Sequence, residues 1–246
     1  MNKVLVIGES CTDIFIYGTS ERKSPEGKGP VFIPTYEKYG VGMAANTTNN
    51  LSAMGIDVDM FSDNGNIIKT RYVNEDTNEL YLRVDENDSV NRININDLPD
   101  LTQYSAIIIS DYCKGFLTEE DINTISSMHN LVIADTKKKL GDWCTNLKFI
   151  KVNRTEWEVS KDVIRDKEWL FDKIICTLDR GGAMYKTQTF KVQSIDNADV
   201  SGAGDTFVAG FVARYLQTND IYKSIEYGNH CAGQVVQQKG VTVFKK

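Results

Sequence analysis

The chain has little of what marks secreted, metal-binding or nucleic-acid-binding proteins. Its 246 residues include five cysteines, an odd number with no C-x-x-C pair of the kind found in zinc or redox sites. The two histidines, His129 and His230, stand alone, so a metal site built on histidine is not expected. The net charge of −6 provides no general attraction for nucleic acid or an anionic membrane, both of which require basic patches.

Long apolar segments are also missing. The run VLVI near the N-terminus has only four residues, fewer than a signal peptide needs. No stretch approaches the roughly 18 apolar residues that indicate a membrane span. We therefore expect a cytoplasmic protein with no nucleic-acid or membrane partner. The one dense basic run, Lys137-Lys138-Lys139, is expected to be a solvated loop rather than a binding patch.

Short apolar runs, most of them rich in β-branched residues, recur along the chain. They are VLVIG (4–8), AIIIS (106–110), LVIAD (131–135), KFIKV (148–152) and DKIICTL (172–178). Helical patterns separate most of them. After Thr118, which has capping-box spacing to Asp121, residues Ile122, Ile125 and Met128 fall on one helical face. Strands that alternate with helices predict an α/β protein with a parallel sheet covered on both sides.

Two regions break this pattern. Residues 14–37 and 69–93 alternate like exposed antiparallel strands, with a turn near Glu75 and Asp76. We expect them to form a small β-sheet lid that rises from the edge of the main sheet. No linker or internal repeat divides the chain, so a single domain of residues 1–246 is predicted.

The stretch DVSGAGDTFVAGF (199–211) places two glycines and an aspartate before an apolar run with helical spacing, so a helix is predicted to begin near residues 203–206. Gly202 and Gly204 lie at its mouth, where unpaired backbone N–H groups and the helix dipole form an anion site. Asp205 has two interpretations. It stabilises the first turn of the helix, or it takes a proton from an attacking hydroxyl, as phosphoryl transfer requires.

Polar residues follow several of the predicted strands. Because ligands of open α/β sheets bind at the carboxyl ends of strands, these residues are predicted to form one rim. Each of them, taken alone, also has a structural interpretation; for example, Asp13 caps a turn, Lys114 is solvated, and Asn153 caps the helix that carries Trp157. The rim residues are Gly8, Asp13, Asp111, Lys114, Lys137, Asn153, Glu156, Asp179, Gly181 and Gly182.

Three motifs resemble those of the ribokinase-like (PfkB) carbohydrate kinases. DVSGAGDTFVAGF is similar to their late signature, NRTE (153–156) to their N-x-x-E motif, and GVGMAANTTNNLSAMG (40–55) to their early glycine-rich substrate loop. The resemblance implies a three-layer sandwich with a mainly parallel central sheet and a small β-sheet lid. It also implies ATP-dependent phosphorylation of a sugar hydroxyl, with Mg²⁺ as the metal and lid closure to exclude water.

The resemblance further implies roles for individual residues. Asp205 is the general base, and the backbone of Gly202, Ala203 and Gly204 completes the anion hole. Magnesium and its waters are organised by Asn153 and Glu156. The sugar is held by Asp13, Gly42 and Asn46, and the nucleotide lies near Thr177, Gly182 and Asn229.

Within the family, three segments are similar to kinases that act on D-glycero-D-manno-heptose 7-phosphate: VLVIGESCTDIFIYGTSERKSPEGKGPVF (4–32), SDYCKGFLT (110–118) and VIADTKK (132–138). This narrower likeness implies a sugar-phosphate acceptor, with Lys114 as a contact for its phosphate. The chain departs from the family at Met43, where a second glycine is usual, and at Val200, where threonine is usual. It is also shorter than its relatives.

Two alternatives stay open at this point. The chain is a kinase of the same fold for ribose, fructose 6-phosphate or a nucleoside, or it is a catalytically silent protein that binds a sugar or nucleotide. A homodimer through the β-sheet lid is also expected, because shortened segments expose parts of the sheet.

Overall fold

The computed structural model describes residues 2–63, 66–193, 195 and 199–245. Its strands are β1 (Lys3–Gly8), β2 (Ser10–Lys23), β3 (Pro30–Met43), β4 (Asp57–Phe61), β5 (Ile67–Asn74), β6 (Leu80–Glu86), β7 (Ala106–Asp111), β8 (Val132–Thr136), β9 (Phe149–Asn153), β10 (Ile174–Thr177), β11 (Ala183–Tyr185) and β12 (Gln188–Phe190). Its α-helices are α1 (Ala44–Ala53), α2 (Glu119–Ser127), α3 (Arg154–Asp166), α4 (Glu168–Phe171), α5 (Ala203–Thr218) and α6 (Ile221–Val235).

Eight strands form the central sheet, in the order β12-β11-β10-β9-β8-β7-β1-β4. The pairs from β10 to β4 are parallel, and β11 and β12 add an antiparallel edge. All five strands expected from apolar runs are confirmed, to within two residues at either end. Their near-continuous apolar character follows from burial on both faces.

Helices cover both faces of this sheet. Ile108 and alternate neighbours pack with α1, α5 and α6, whereas Ile107 and Ile109 pack with α2, α3 and α4. The predicted three-layer sandwich is therefore confirmed. The Thr118–Asp121 capping box of α2 is present, but Met128 is 53% exposed because α2 ends at Ser127 and leaves it at the C-cap.

The small sheet has the strand order β3-β2-β5-β6, with β2 and β5 parallel and the outer pairs antiparallel. The first lid segment is longer than the predicted range 14–37, since β2 begins at Ser10 and β3 ends at Met43. The second segment ends earlier than the predicted residue 93, since β6 ends at Glu86. Only Glu9 separates β1 from β2, so the two sheets adjoin directly.

The two faces of the small sheet differ. The inner face carries the buried side chains of Asp13, Phe15, Tyr17 and Lys69. The outer face carries apolar side chains that are open to solvent: Tyr39, Val41, Leu82 and Val84. In the part of the chain that the structure describes, no helix is long and apolar enough to cross a membrane.

Candidate active site

A cleft of about 330 Å³ opens at the carboxyl ends of the central strands. We call it the α5 cleft, because the first turn of α5 forms its floor. Ligands of open α/β sheets bind at this edge. Its lining includes Tyr112, Lys137, Lys151, Asn153, Thr177, Asp179, Arg180, Gly182, Val200, Gly202, Ala203, Gly204, Asp205 and Asn229.

The start of α5 requires glycine. Gly202 has a φ of 76°, in the left-handed region, and a Cβ there would lie 2.6 Å from the Asn46 side-chain nitrogen. A Cβ on Gly204 would lie 2.8 Å from Lys151 Nζ. Among the described residues, no side chain caps this helix, and the Ala203 N–H donates to the Val200 carbonyl at 3.2 Å. The N–H groups of Gly204 and Asp205 remain available to a negatively charged group in the α5 cleft.

Asp205 lies in the first turn of α5 and is only 3% exposed. Its carboxylate accepts hydrogen bonds from the Tyr112 hydroxyl at 2.6 Å and from Asn46 Nδ2 at 2.9 Å. Burial and the nearby Asp135 charge raise the pKa of Asp205 to about 6, against the opposing effects of Tyr112, Asn46 and Lys151. A carboxyl group with this pKa is ionised at neutral pH and basic enough to accept a proton.

Two lysines border the α5 cleft through ion pairs. Lys151 Nζ lies 3.0 Å from Asp135, and Lys137 pairs with Glu156 and, at 3.8 Å, with Asp135. Burial opposes ionisation of Asp135, but these lysines hold its pKa below the ordinary value. Lys138 in turn lies 3.0 Å from the buried Asp111.

The expectation of a solvated loop at residues 137–139 was therefore wrong for Lys137 and Lys138. β8 ends at Thr136, so both residues emerge where neighbouring parallel strands also end. Glu156 in the first turn of α3 and Asp111 at the end of β7 draw the two ammonium groups inward.

Asn153 and Glu156 form the capping box of α3. Asn153 accepts from the Glu156 N–H at 2.9 Å, and the Glu156 carboxylate accepts from the Asn153 backbone and amide. The structural interpretation of Asn153 is thus confirmed, and the magnesium role stays a prediction. Among residues 2–63, 66–193, 195 and 199–245, no group of three or more acidic, histidine or cysteine side chains could hold a metal ion. The side chains of Asn153 and Glu156, one amide and one carboxylate, suit Mg²⁺ that is held mainly by phosphates and water.

The residues expected to hold the sugar divide into two groups. Asn46 lies at the α5 cleft through its bond to Asp205. Asp13 lies on the inner face of the small sheet, where it pairs with Arg71, and Gly42 packs so closely that a Cβ would come within 2.2 Å of the Asp13 carboxylate. Met43 adopts a φ of 59°, a conformation that favours the glycine usual at this position.

Cys11 lies between these two groups. Burial raises the pKa of its thiol to about 12, and the charges of both Asp13 and Asp205 act in the same direction, while Lys69 and Arg71 oppose them. The inner face of the small sheet is therefore adjacent to the α5 cleft.

Four basic side chains meet at this inner face: Lys69, Arg71, Arg83 and Lys114. We call them the lid basic cluster. Lys114 pairs with Asp88 and does not line the α5 cleft. Lys69 is only 6% exposed, yet no carboxylate of the described residues lies within ion-pair distance of it. Burial, together with the charges of Arg83 and Lys114, lowers the pKa of Lys69 against the opposing effects of Cys11 and Asp13.

The residues expected near the nucleotide all line the α5 cleft. Gly182 has a φ of 87°, and a Cβ there would lie 2.0 Å from the Phe190 carbonyl oxygen. Asn229 of α6 donates to that same carbonyl at 2.9 Å. Gly182 and Asn229 therefore fix the wall of the cleft against β12, and their contact with a nucleotide stays a prediction.

Three residues of the site were missed by sequence reasoning: Tyr112, Lys151 and Lys69. Tyr112 directly follows Asp111 at the end of β7, which is the position that draws attention in an α/β sheet. Lys151 interrupts the apolar run KFIKV, and a charge inside a buried strand indicates a specific partner. Lys69 carried no comparable signal, because it stands in β5 beside two further polar residues, Thr70 and Arg71.

A three-layer α/β sandwich with a small second sheet, and a late glycine–aspartate loop opening a helix beside lysines, defines a carbohydrate kinase of the ribokinase-like class. The family model of the pfkB family carbohydrate kinases matches residues 66–245, and the chain belongs to this family. The predicted family and enzyme class are confirmed.

The curated relatives include two bifunctional HldE proteins. That of Helicobacter pylori strain J99 is 27% identical over 297 residues, covering 98% of this chain and 64% of the relative. That of Hydrogenovibrio crunogenus is 25% identical over 295 residues, covering 99% of this chain and 61% of the relative. The chain thus spans less than two thirds of the length of these relatives.

Solved structures match at the level of the fold. Ribokinase from Thermotoga maritima superposes with a TM-score of 0.74 at 14% identity, covering 98% of this chain and 95% of the other. The nucleoside kinase of Methanocaldococcus jannaschii gives 0.72 at 17% identity, with 100% and 95% covered. The predicted fold class is confirmed.

Proposed function

We propose that this chain transfers the γ-phosphoryl group of ATP to a hydroxyl of a sugar phosphate, with D-glycero-D-manno-heptose 7-phosphate as the acceptor. The observation that carries the proposal is the carboxylate of Asp205, buried in the open first turn of α5 and within the α5 cleft. A base and an anion site lie side by side there, and this is the pairing that phosphoryl transfer needs.

The reaction divides between these groups. Asp205 accepts the proton of the acceptor hydroxyl as its oxygen forms a bond to the γ-phosphorus, and the bond from that phosphorus to the bridging oxygen of ADP breaks. The first-turn N–H groups of α5, together with Lys151 and Lys137, stabilise the charge on the transferred group. Mg²⁺ would neutralise phosphate charge, and Asn153 and Glu156 would orient its water shell.

The lid basic cluster supports a phosphorylated acceptor. Lys69 is buried, with no carboxylate of the described residues at ion-pair distance, and the charges of Lys114 and Arg83 act on it. An ammonium in this state favours an incoming anion, because burial of an unpaired charge is unfavourable. The heptose itself rests on the resemblance of residues 4–32, 110–118 and 132–138 to heptose 7-phosphate kinases. Asp13 and Asn46 would bind its hydroxyls.

We also propose that a second copy of the chain covers the outer face of the small sheet. Tyr39, Leu82, Val41 and Val84 are 67%, 55%, 37% and 38% exposed on that face. Side chains of this kind, clustered on one sheet face, are typical of an interface.

A cytoplasmic location is the remaining part of the proposal. All five cysteines are free, and one of them, Cys113, is exposed. Free thiols of this kind fit a reducing compartment.

The test is ATP-dependent release of ADP with a panel of acceptors, led by heptose 7-phosphate and including ribose, fructose 6-phosphate and a nucleoside. Asp205→Asn should lower kcat by about 10²–10⁴-fold, because it removes the general base, while ATP still binds in calorimetry. Asp220→Asn is the matched control, since Asp220 also stands at a helix start but caps α6 outside the α5 cleft.

The outcomes separate the alternatives. Highest kcat/KM with an acceptor other than heptose 7-phosphate would replace the proposed substrate, and highest kcat/KM with an acceptor that carries no phosphate would also remove the sugar-phosphate class. ATP or sugar binding without turnover for any acceptor would identify a silent binding protein.

A further inference from the structure

Tyr112 connects the two halves of the site. Its hydroxyl donates to Asp205 Oδ1 at 2.6 Å. Its ring lies between two lysines, with Lys69 Nζ at 5.2 Å and Lys137 Nζ at 5.1 Å from the ring centroid. Burial and the Asp205 and Asp135 charges keep the pKa of Tyr112 well above the ordinary value, so its hydroxyl remains a neutral donor.

The backbone beside Tyr112 is fixed by a buried acid. The Glu9 carboxylate is fully buried and accepts from the N–H of Tyr112 at 2.8 Å, of Lys114 at 2.9 Å and of Phe116 at 3.4 Å. The Glu9 carbonyl accepts from the N–H of Ala44, at the start of α1. A residue between the two sheets therefore determines where the segment 111–116 lies.

We propose that Tyr112 is a positioning residue that keeps the Asp205 carboxylate ionised and oriented for the acceptor hydroxyl, and that Glu9 holds Tyr112 in that place. The inference rests on the proposed role of Asp205 as general base. It assigns functions to two side chains that lie outside the glycine–aspartate, N-x-x-E and glycine-rich loop motifs, within the segments 4–32 and 110–118.

The charges around Asp205 make its donors important. Asp135 and burial favour the protonated acid, whereas the lysines and two side-chain donors, Tyr112 and Asn46, favour the carboxylate. Without the Tyr112 hydroxyl, Asp205 Oδ1 loses a short hydrogen bond, and the protonated form of Asp205 becomes more favourable relative to the carboxylate. The groups that act on this balance are Asp135, Lys151, Lys137, Tyr112, Cys11 and Asn46.

The test compares Tyr112→Phe with wild type in the pH dependence of kcat/KM. Asp205 works as the carboxylate, so activity should rise with pH through about 6 in the wild type. Loss of the donor should move this acidic limb up by about one pH unit, which makes Tyr112→Phe about fivefold slower at pH 6 and nearly equal to wild type above pH 8.5.

Tyr104→Phe is the matched control. Tyr104 makes the same kind of bond, to Asp59 Oδ2 at 2.6 Å, and it does not line the α5 cleft. Its acidic limb should coincide with that of the wild type. An unmoved limb in Tyr112→Phe, even with a lower plateau, would overturn the inference and leave a purely structural tyrosine.

A second measurement needs no turnover. Carbon-13 NMR of labelled aspartate should follow the Asp205 carboxyl directly, with its titration shifted upward in Tyr112→Phe. Glu9→Gln should shift it in the same direction, because an amide cannot accept all three backbone N–H groups as a carboxylate does.

These readouts separate the two proposals. A wild type without turnover and a shifted NMR titration would refute the kinase while supporting the Tyr112–Asp205 coupling. Turnover that depends on Asp205, with neither limb nor titration moved, would refute the coupling alone.

Discussion

The two sheets of this molecule use their side chains in opposite ways. The central strands alternate between two apolar layers and are buried on both faces, as Ile107 and Ile108 illustrate. The small sheet has a charged inner face, with Lys69 and Arg71, and an exposed apolar outer face, with Leu82. The central sheet therefore contributes most of the apolar core, whereas the small sheet, beside a few buried residues of its own, presents charged and apolar side chains suited to recognition.

The largest expected effect is a loss of stability when a side chain of the central sheet is shortened. Ile108→Ala removes a fully buried side chain and should lower the free energy of unfolding by about 2–5 kcal/mol. Leu82→Ala on the outer face should change it by less than about 0.5 kcal/mol at protein concentrations where the chain is monomeric. Urea denaturation of both variants is the measurement. Equal losses would mean that Leu82 is packed and that the comparison is wrong.

A smaller effect sharpens the role of the inner face. Lys69→Met should raise the KM for a phosphorylated acceptor about tenfold or more, because a hydrogen bond to a charged group contributes about 1.5–3 kcal/mol. The free energy of unfolding should change little, since the loss of the contact between Lys69 Nζ and the Tyr112 ring is offset by removal of a buried charge that makes no ion pair within the described residues. Steady-state kinetics against Lys23→Met, an exposed lysine at the end of β2, provides the control. An unchanged KM would mean that Lys69 does not bind the acceptor phosphate.

The smallest effect on activity concerns the outer face. Leu82→Glu should shift a dimer toward monomer, because it places a charge in an apolar contact, while kcat changes less than about twofold. Analytical ultracentrifugation over a concentration series measures this. Met128→Glu changes an equally exposed apolar residue away from the small sheet and should leave association unchanged. A monomeric wild type would contradict the proposed partner.

Local patterns predicted most of the fold. The buried strands, the capping box of α2 and the start of α5 depend on residues close in sequence, and all were confirmed. Errors arose where neighbours distant in sequence decide. Lys138 was expected in solvent, but Asp111, which precedes it by 27 residues, pairs with it at a strand end.

The site, like the fold, was predictable where it depends on residues close in sequence. The glycines and Asp205 follow from one contiguous stretch, and their placement at one cleft was observed. The bond between Tyr112 and Asp205 joins residues 93 positions apart, and its existence depends on the parallel order of β7, β8 and β9. A single sequence contains no direct signal for such a contact.

The single-residue connection between β1 and β2 has a consequence for folding. Glu9 is too short a link to let either sheet form while the other remains unfolded, and β3 runs into α1 without any intervening residue. We therefore expect the small sheet to melt together with the central sheet in one cooperative transition rather than as a separate foldon. Recognition by the small sheet and stability from the central sheet would then be lost together in a single unfolding transition.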